Sequence, residues 1–428
     1  MAKDQFEVVV IGGGAAGVAA ARRLRDAGLD ALLVEARDRL GGRAWTKEVA
    51  GFALDLGCGW LHSADVNPWR EIAERRGLAV DRTPPPWSRP QAQTGFSKAE
   101  QSAFIETLMR FRNRADAAGE DGPDRPAAAL LLKSDERWRP MLDAISTFYS
   151  GAELDRVSVQ DLARYEDTGV NWRLASGYGA LVAVYGAGLP TRLGCPVERI
   201  DRRGRRLRLE TPDGPIVADA AIVTLPSDVI AAKPSLFLPA LPDKTEAAAG
   251  LPLGLADKLF LSLAEPEQFE KDSRCFGRTD RAGTAAYHLR PFGRPMIESY
   301  FGGALAAELE KGGEQSFFEC AAEELVGLFG ADFRRRIKPL AYHGWAADPF
   351  ARGSYSYALP GKADCRAALA APVDNRLFFA GEACSREDFS TAHGAYRTGM
   401  AAAEQAIAAL RGAKAAAQTR GANVSTIE

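Results

Sequence analysis

At 428 residues the chain is longer than one ordinary domain, and roughly 100–200 residues per domain suggests two or three. Hydrophobic content of 46% and charged content of 26% exclude a disordered or fibrous chain. The 54 Lys and Arg nearly balance the 56 Asp and Glu, for a formal charge of −2, which argues against a large nucleic-acid-binding surface.

No apolar run approaches the ~18 residues of a membrane-spanning helix. The opening Met1-Ala2-Lys3-Asp4-Gln5-Phe6 leads straight into a strand pattern and leaves no room for a signal peptide. A soluble, cytoplasmic protein is expected, with neither membrane nor nucleic acid as partner. The cysteines at 58, 195, 275, 320, 365 and 384 form no CxxC pair and read as free thiols. The histidines at 62, 288, 343 and 393 lack metal-ligand spacing, so no metal is expected.

Phe6-Glu7-Val8-Val9-Val10-Ile11 is a β-branched run suited to a strand buried on both faces. Gly12-Gly13-Gly14-Ala15-Ala16-Gly17 follows at once, then a stretch with helical spacing closed by Gly28. Residues 29–34 read as a second strand with Glu35 at its end. In this strand-turn-helix-strand order Gly12 permits a tight turn and Gly14 lets the backbone approach a pyrophosphate. Gly17 lets the helix pack closely, so that its N-terminus aims unpaired N–H groups at the anion. Glu35, about 20 residues on, is placed to accept hydrogen bonds from ribose hydroxyls. Ala36-Arg37-Asp38-Arg39-Leu40-Gly41-Gly42-Arg43 suits a second backbone approach to phosphate, or equally a charged surface turn.

Thr83-Pro84-Pro85-Pro86-Trp87 marks a stiff connection and a domain boundary. Residues 97–166 are mostly helical in pattern, notably 100–112 and 142–148, and residues 178–188 form a short buried helix. Strands follow at 197–200, 206–209, 221–225, 259–263 and 296–301. Residues 315–329 are helical, 377–380 a strand and 395–410 an alanine-rich helix. Residues 412–428 read as a flexible tail. Six arginines between 199 and 208 read as the solvent face of a hairpin turning at Arg203-Gly204, with acids at 198, 201 and 210 nearby.

Three further segments join the N-terminal unit: Asp55-Leu56-Gly57-Cys58-Gly59-Trp60-Leu61-His62, Ala380-Gly381-Glu382-Ala383-Cys384, and Ser390-Thr391-Ala392-His393-Gly394-Ala395-Tyr396. Together with residues 8–46 they resemble the flavin-dependent amine oxidase family, which includes monoamine and polyamine oxidases. The resemblance implies an α/β chain (α+β overall), with a Rossmann-like FAD-binding domain of the glutathione-reductase/amine-oxidase type. The substrate-binding domain is then discontinuous. Residues 1–82, 172–235 and 370–411 are expected to bind FAD, and 83–171 with 236–369 the substrate.

The same resemblance implies residue roles. Gly12, Gly14, Ala16 and Gly17 would line the FAD pyrophosphate, and Glu35 would hold the adenosine ribose. Arg37, Gly42 and Arg43 would flank the ribose and phosphates, and Gly57, Gly59 and Trp60 would run along the flavin ring. Val197 would meet adenine through its backbone. Gly381 and Glu382 would hold the ribityl-phosphate end. Thr391 and Ala392 would open the last helix toward the flavin's pyrimidine edge, where a helix N-terminus favours negative charge.

Lys258 alternates with Leu259, Leu261 and Leu263, which by pattern alone suits a solvated strand face. The family places a lysine on such a strand near flavin N5, held through a water. On that reading Lys258 is the catalytic residue, desolvated with its charged form disfavoured, and it helps dioxygen react. Tyr355 would wall an aromatic slot for the amine. His62 would face the substrate or serve structurally.

Two departures from the family pattern stand out. Ser354 stands where some members carry a flavin-linked cysteine, so FAD is expected to be noncovalent. Thr391 stands where monoamine oxidases have the second aromatic wall, which Trp60, His62 or Phe389 could replace.

The activity expected is oxidation of a primary or secondary amine at the carbon next to nitrogen, by hydride transfer to flavin. Water then hydrolyses the imine and dioxygen yields hydrogen peroxide. The partners are a small amine and dioxygen; a homo-oligomer stays open. The rivals are an L-amino acid oxidase, with Arg173, Arg290 or Arg294 for the carboxylate, a desaturase of an apolar substrate, and a flavin-binding partner protein without catalysis.

Overall fold

The computed structural model describes residues 3–89, 96–120 and 122–424. Its main sheet is parallel at the centre. Thr191–Arg192, Ala31–Val34, Gln5–Ile11, Ile216–Val223 and Leu377–Phe379 lie side by side in that order, all parallel. The first strand explains its own apolar run. Val8 and Val10 pack with Leu24 and Ala403 on one face, and Val9 and Ile11 pack with Ile200 and Leu209 on the other. A strand buried on both faces has no solvent side and so no polar alternation. Helix Ala15–Asp26 crosses back to the second strand and packs on the C-terminal helix, Ala392–Val424.

The six-arginine segment is the hairpin expected, Arg199–Asp201 against Leu207–Glu210. Its charges are met locally: Arg203 by Asp201 at 2.7 Å, Arg202 by Asp374 at 2.7 Å and Arg206 by Asp219 at 2.8 Å.

A second, antiparallel sheet runs in the order Ser273–Phe276, Ala286–Leu289, Met296–Gly302, Ala256–Leu263, Ile337–Tyr342. Leu259, Leu261, Ile297 and Phe301 point to one face and pack under helices Gly303–Glu310 and Gly313–Phe329 through Ala306, Phe317 and Leu325. The other face carries Lys258, Glu298, Tyr300 and His288, because these residues share register across three strands. Part of that face is covered by the hairpin Thr46–Val49 and Phe52–Asp55, whose Leu54 packs with Phe260 and Met296. Helices Lys98–Glu120, Arg139–Ser150 and Val159–Arg164 form a separate layer around Phe104, Phe111, Trp138 and Met141.

Several strands and the C-terminal tail differ from the sequence reading. The strands at 273–276, 286–289 and 337–342 were not foreseen; each is short, with polar residues spaced too irregularly to alternate. The expected flexible tail from 412 is helical through Val424, and Lys414 pairs with Glu7 at 2.6 Å. Its alanine-rich composition continues the helix, which outweighs the polarity read as a tail.

Candidate active site

Two glycine loops meet at the C-terminal end of the first strand. Gly41 N–H donates to the Gly13 carbonyl at 2.8 Å, and a Cβ on Gly42 would stand 3.1 Å from the Gly14 Cα. Gly12 has φ +105°, which L side chains rarely adopt, and a side chain at Gly17 would run into the Gly12 carbonyl. Gly14 is different: a Cβ there would find nothing closer than 3.9 Å. Helix Ala15–Asp26 begins at Gly14 with no side-chain cap, leaving its first N–H groups for an anion.

Glu35 ends the second strand, accepting from Gly13 N–H at 2.5 Å and Arg37 N–H at 2.9 Å. Each carboxylate oxygen retains acceptor capacity for a ribose hydroxyl. Val197 follows Cys195, whose N–H is held by the Glu35 carbonyl at 2.8 Å. Gly381 has φ +137° and open space on its Cβ side. These features fit an FAD: open backbone where phosphates pass, an uncapped helix start and an acid at the ribose position.

The arginines are more committed than expected. Arg37 donates to Asp348 at 2.7 Å. Arg43 donates to Glu382 at 2.9 Å and to the Ser354 carbonyl at 2.8 Å. Glu382 does not present a free carboxylate to the ribityl-phosphate end. It also accepts from Ser356 Oγ at 2.6 Å and Ser390 N–H at 2.9 Å. Burial alone would push its carboxyl up, but Arg43 and Ser356 hold it below the usual range. A carboxylate would repel phosphate, so Glu382 works by fixing Arg43. Ser356 in turn accepts from Arg366 at 2.9 Å. Arg366 is fully buried and forked onto Asp161 at 2.6 and 2.7 Å.

The Gly57, Gly59 and Trp60 run is held from beneath. Trp345 donates its indole N–H to the Leu56 carbonyl at 3.1 Å, and a Cβ on Gly57 would lie 3.2 Å from the Trp345 ring. Lys258 faces this run: a Cβ on Gly59 would be 3.3 Å from its Nζ. Lys258 is 6% exposed, so the solvated-face alternative is excluded. Its charge state differs from the expectation. Burial pulls its pKa down, but Glu298 at 2.8 Å, with help from Asp55, leaves it above the ordinary lysine value. Lys258 is therefore an ammonium, which also donates to the Asp55 carbonyl at 3.0 Å.

Tyr355 lies in an aromatic group with Phe148 and Tyr300. Its hydroxyl donates to the Phe148 carbonyl at 2.5 Å and lies 2.9 Å from the Tyr300 hydroxyl. Thr391 is a helix cap. Its Oγ accepts from Gly394 N–H at 2.9 Å and donates to the Asp388 carbonyl at 2.6 Å. That use of the hydroxyl suits the cofactor side, with Ala392 opening the helix; as a substrate contact it is taken up by backbone. Phe389 does not replace the second aromatic wall, because its ring lies under Arg366 at 3.7 Å and against Tyr165.

Trp60 carries an aromatic face of its own, with Trp87 edge-on at 4.5 Å, His288 stacked at 6.2 Å and Arg173 above it at 4.7 Å. His62 Nδ1 lies 2.6 Å from Asn171 Oδ1. Asn171 Nδ2 donates to the Gly169 carbonyl, so its oxygen faces the ring and Nδ1 carries the proton. Burial lowers the His62 pKa, keeping the imidazole neutral.

The residues missed by sequence reasoning are Glu298, Tyr300, His288, Asp348, Arg366 and Asp161. All act through pairings made across strands or between distant segments. Ser-Tyr at 299–300 after an acid, in a strand-like run, was the available signal for Glu298.

The family model described as flavin containing amine oxidoreductase matches residues 15–104 and 132–407. Polyamine oxidase 4 of Oryza sativa subsp. japonica is 30% identical, over 93% of this chain and 88% of the relative. Polyamine oxidase 2 of Arabidopsis thaliana is also 30% identical, over 93% and 87%. Among solved structures, wild-type putrescine oxidase bound to putrescine superposes with a TM-score of 0.76 at 18% identity, covering 94% of this chain and 99% of that one. A match of this extent, on a fold whose glycine loops and uncapped helix suit FAD, leaves one conclusion. The chain belongs to the flavin-containing amine oxidoreductases and is an FAD-dependent amine oxidase.

Proposed function

We propose that this enzyme oxidises a small diamine or polyamine, holding FAD without a covalent bond and releasing hydrogen peroxide. FAD, when bound, takes the electrons of the C–H bond next to nitrogen and passes them to dioxygen. The protein's residues supply position and charge. Residues 57–60 and Lys258 bound one side of the reacting space, and Tyr355 walls the approach.

The observation that carries the reading is the charge of the lysine face. Glu298 and Asp272 both lie there, and both carboxyls are held below the usual range, Glu298 against burial by Lys258 and Asp272 by His288 and Arg173. Both are paired, with Lys258 and Arg173, and Asp81 adds a third acid to these two cations, so the face admits a substrate bearing a second ammonium without repelling it. Its cations, Lys258 and Arg173, are already paired and so are not offered to a carboxylate. Arg173 is paired with Asp81 at 2.9 Å and Asp272 at 3.0 Å, Arg290 donates to the Phe269 carbonyl, and Arg294 donates to the Ala53 and Ala175 carbonyls. All three guanidinium candidates for an amino acid oxidase are thus engaged. The named activities of the two plant relatives and of putrescine oxidase support the same class. Noncovalent FAD follows from Ser354, whose Oγ is spent on the Ala256 backbone at 2.8 and 2.9 Å.

The test is anaerobic mixing of the yellow holoenzyme with putrescine, spermidine, benzylamine, butylamine and leucine, following the loss of flavin absorbance. Bleaching by the diamine and polyamine, with little by butylamine, is the expected result. Bleaching by leucine or butylamine ahead of both would overturn it.

A further inference from the structure

Lys258 and Glu298 sit on neighbouring strands, Lys258 opposite Tyr300 and Glu298 opposite Phe260, which makes them diagonal neighbours on one sheet face. Nζ is 2.8 Å from Oε1, with side chains 7% and 17% exposed. Behind Glu298, His288 Nδ1 lies 3.9 Å from Oε2 while its Nε2 holds Asp272 at 3.1 Å, and Asp272 pairs with Arg173 at 3.0 Å. The carboxylate that touches Lys258 is thus braced from the far side rather than swinging free. A lysine buried against one carbonyl alone would shed its proton.

We propose that Glu298 is the positioning residue that holds Lys258 as an ammonium against residues 57–60. The positive charge at that point is then constant across the working pH range. The pair as a whole is neutral, so it gives dioxygen a fixed cation nearby without repelling a cationic amine from the same cavity.

Other titratable groups also face Lys258. Cys58 is pushed up to about 12 by burial, Tyr300 is raised by burial, and His62 is lowered by burial. Asp55, whose pKa burial raises, is held by Thr46, Tyr178 and Gly179. His288 faces Glu298 and not Nζ, and a Lys258→Met background reports on it separately.

The experiment compares holoenzyme carrying Glu298→Gln, Lys258→Met and both together with the unaltered protein, from about pH 6 to about pH 10. Two quantities are read: the rate of reoxidation by dioxygen after anaerobic reduction, and the thermal unfolding midpoint. The unaltered enzyme should be flat in reoxidation across this range, and its unfolding midpoint, which carries the titration of Lys244 (pulled down to about 8 by burial), is the baseline against which each variant's midpoint is read. E298Q should match it at the acid end and lose about tenfold or more in reoxidation as pH rises and Lys258 discharges, with an unfolding midpoint that varies over the same span. K258M should be slow and pH-independent, and the double variant should resemble K258M and unfold no earlier than E298Q. An E298Q profile as flat as the unaltered one overturns the proposal. So does a double variant that keeps the pH dependence of E298Q, which would assign it to His288. If E298Q does not fold, the double variant decides: folding restored by removing both charges supports the pairing, and failure to fold overturns it.

Discussion

Arg37 and Asp348, 311 positions apart, meet at 2.7 Å beside the end of the second strand. Asp348 also contacts His343 Nε2 at 3.1 Å and accepts from Phe350 N–H at 2.9 Å. The loop at 344–350 is thereby tied to the nucleotide-binding unit, and the arginine expected to flank the ribose is aimed by an acid from the far half of the chain.

Asp348→Asn should therefore weaken both FAD affinity and stability, the latter by about 1–2 kcal/mol for a partly solvated pair. Burial would raise the Asp348 carboxyl, but His343 and Arg37 depress it well below its ordinary value. A carboxyl depressed on folding stabilises above its unfolded pKa, and that contribution is lost as pH falls through the folded one. Acid titrations of the unfolding midpoint should show a shallower limb below about pH 4 in the Asn variant. An unchanged limb would remove Asp348 from the account.

Gly14 and Gly17 make opposite predictions. Gly14 has extended backbone and a vacant Cβ position, so Gly14→Ala should leave the apoprotein's unfolding midpoint within about 1 °C while weakening FAD binding at least tenfold. Gly17→Ala collides with the Gly12 carbonyl and should lower both. Flavin fluorescence titration and calorimetry on the same samples separate the two effects.

Tyr355→Phe keeps the ring and removes a hydroxyl that serves the half-buried Phe148 carbonyl. The expected cost is about 1–3 kcal/mol of stability, with kcat/KM for the amine reduced less than about tenfold. Tyr355→Ala should cost far more in kcat/KM. Equal losses in the two variants would mean that the hydroxyl, and not the ring face, carries the role.

The amine must shed its proton before the neighbouring C–H bond can be broken. Anaerobic flavin reduction should rise with pH through the bound amine's pKa. His62 is neutral in this range because burial lowers its pKa, so it adds no second limb. A profile that stays level would contradict the requirement for a neutral amine.

What the sequence made legible was local. The strand, glycine turn, helix and acid of residues 6–35 are consecutive, and their order and spacing together point to a nucleotide-binding unit. Alternation, also local, set Lys258 opposite the leucines, but by itself it made that face a solvated one, and the buried placement came from the family resemblance. The counter-ion of Lys258 could not be placed, since pairing with Glu298 depends on the register of two strands separated by a long insertion. Burial without that partner gave the wrong charge for Lys258. Thr391 shows the same limit in another form. Its position before a helix is readable in the sequence, but whether its hydroxyl caps that helix or faces a ligand depends on how the loop brings the Asp388 carbonyl and Gly394 N–H to it.

Breaking the Arg366–Asp161 fork by Asp161→Asn should cost about 3–5 kcal/mol, because a fully buried guanidinium loses its counter-charge. Denaturant unfolding monitored by flavin release would show it.

That fork also limits how the scaffold can be re-engineered. Asp161 sits on a helix of the separate helical layer, and Arg366, Ser356, Glu382 and Arg43 carry its orientation to the cofactor cradle hand to hand. A grafted specificity segment that displaced helix Val159–Arg164 would loosen the grip on FAD before it altered which amine was taken. Positions other than Glu298 and His288 on the strands that bear them lie outside that chain of hydrogen bonds and are the safer ground for changing appetite.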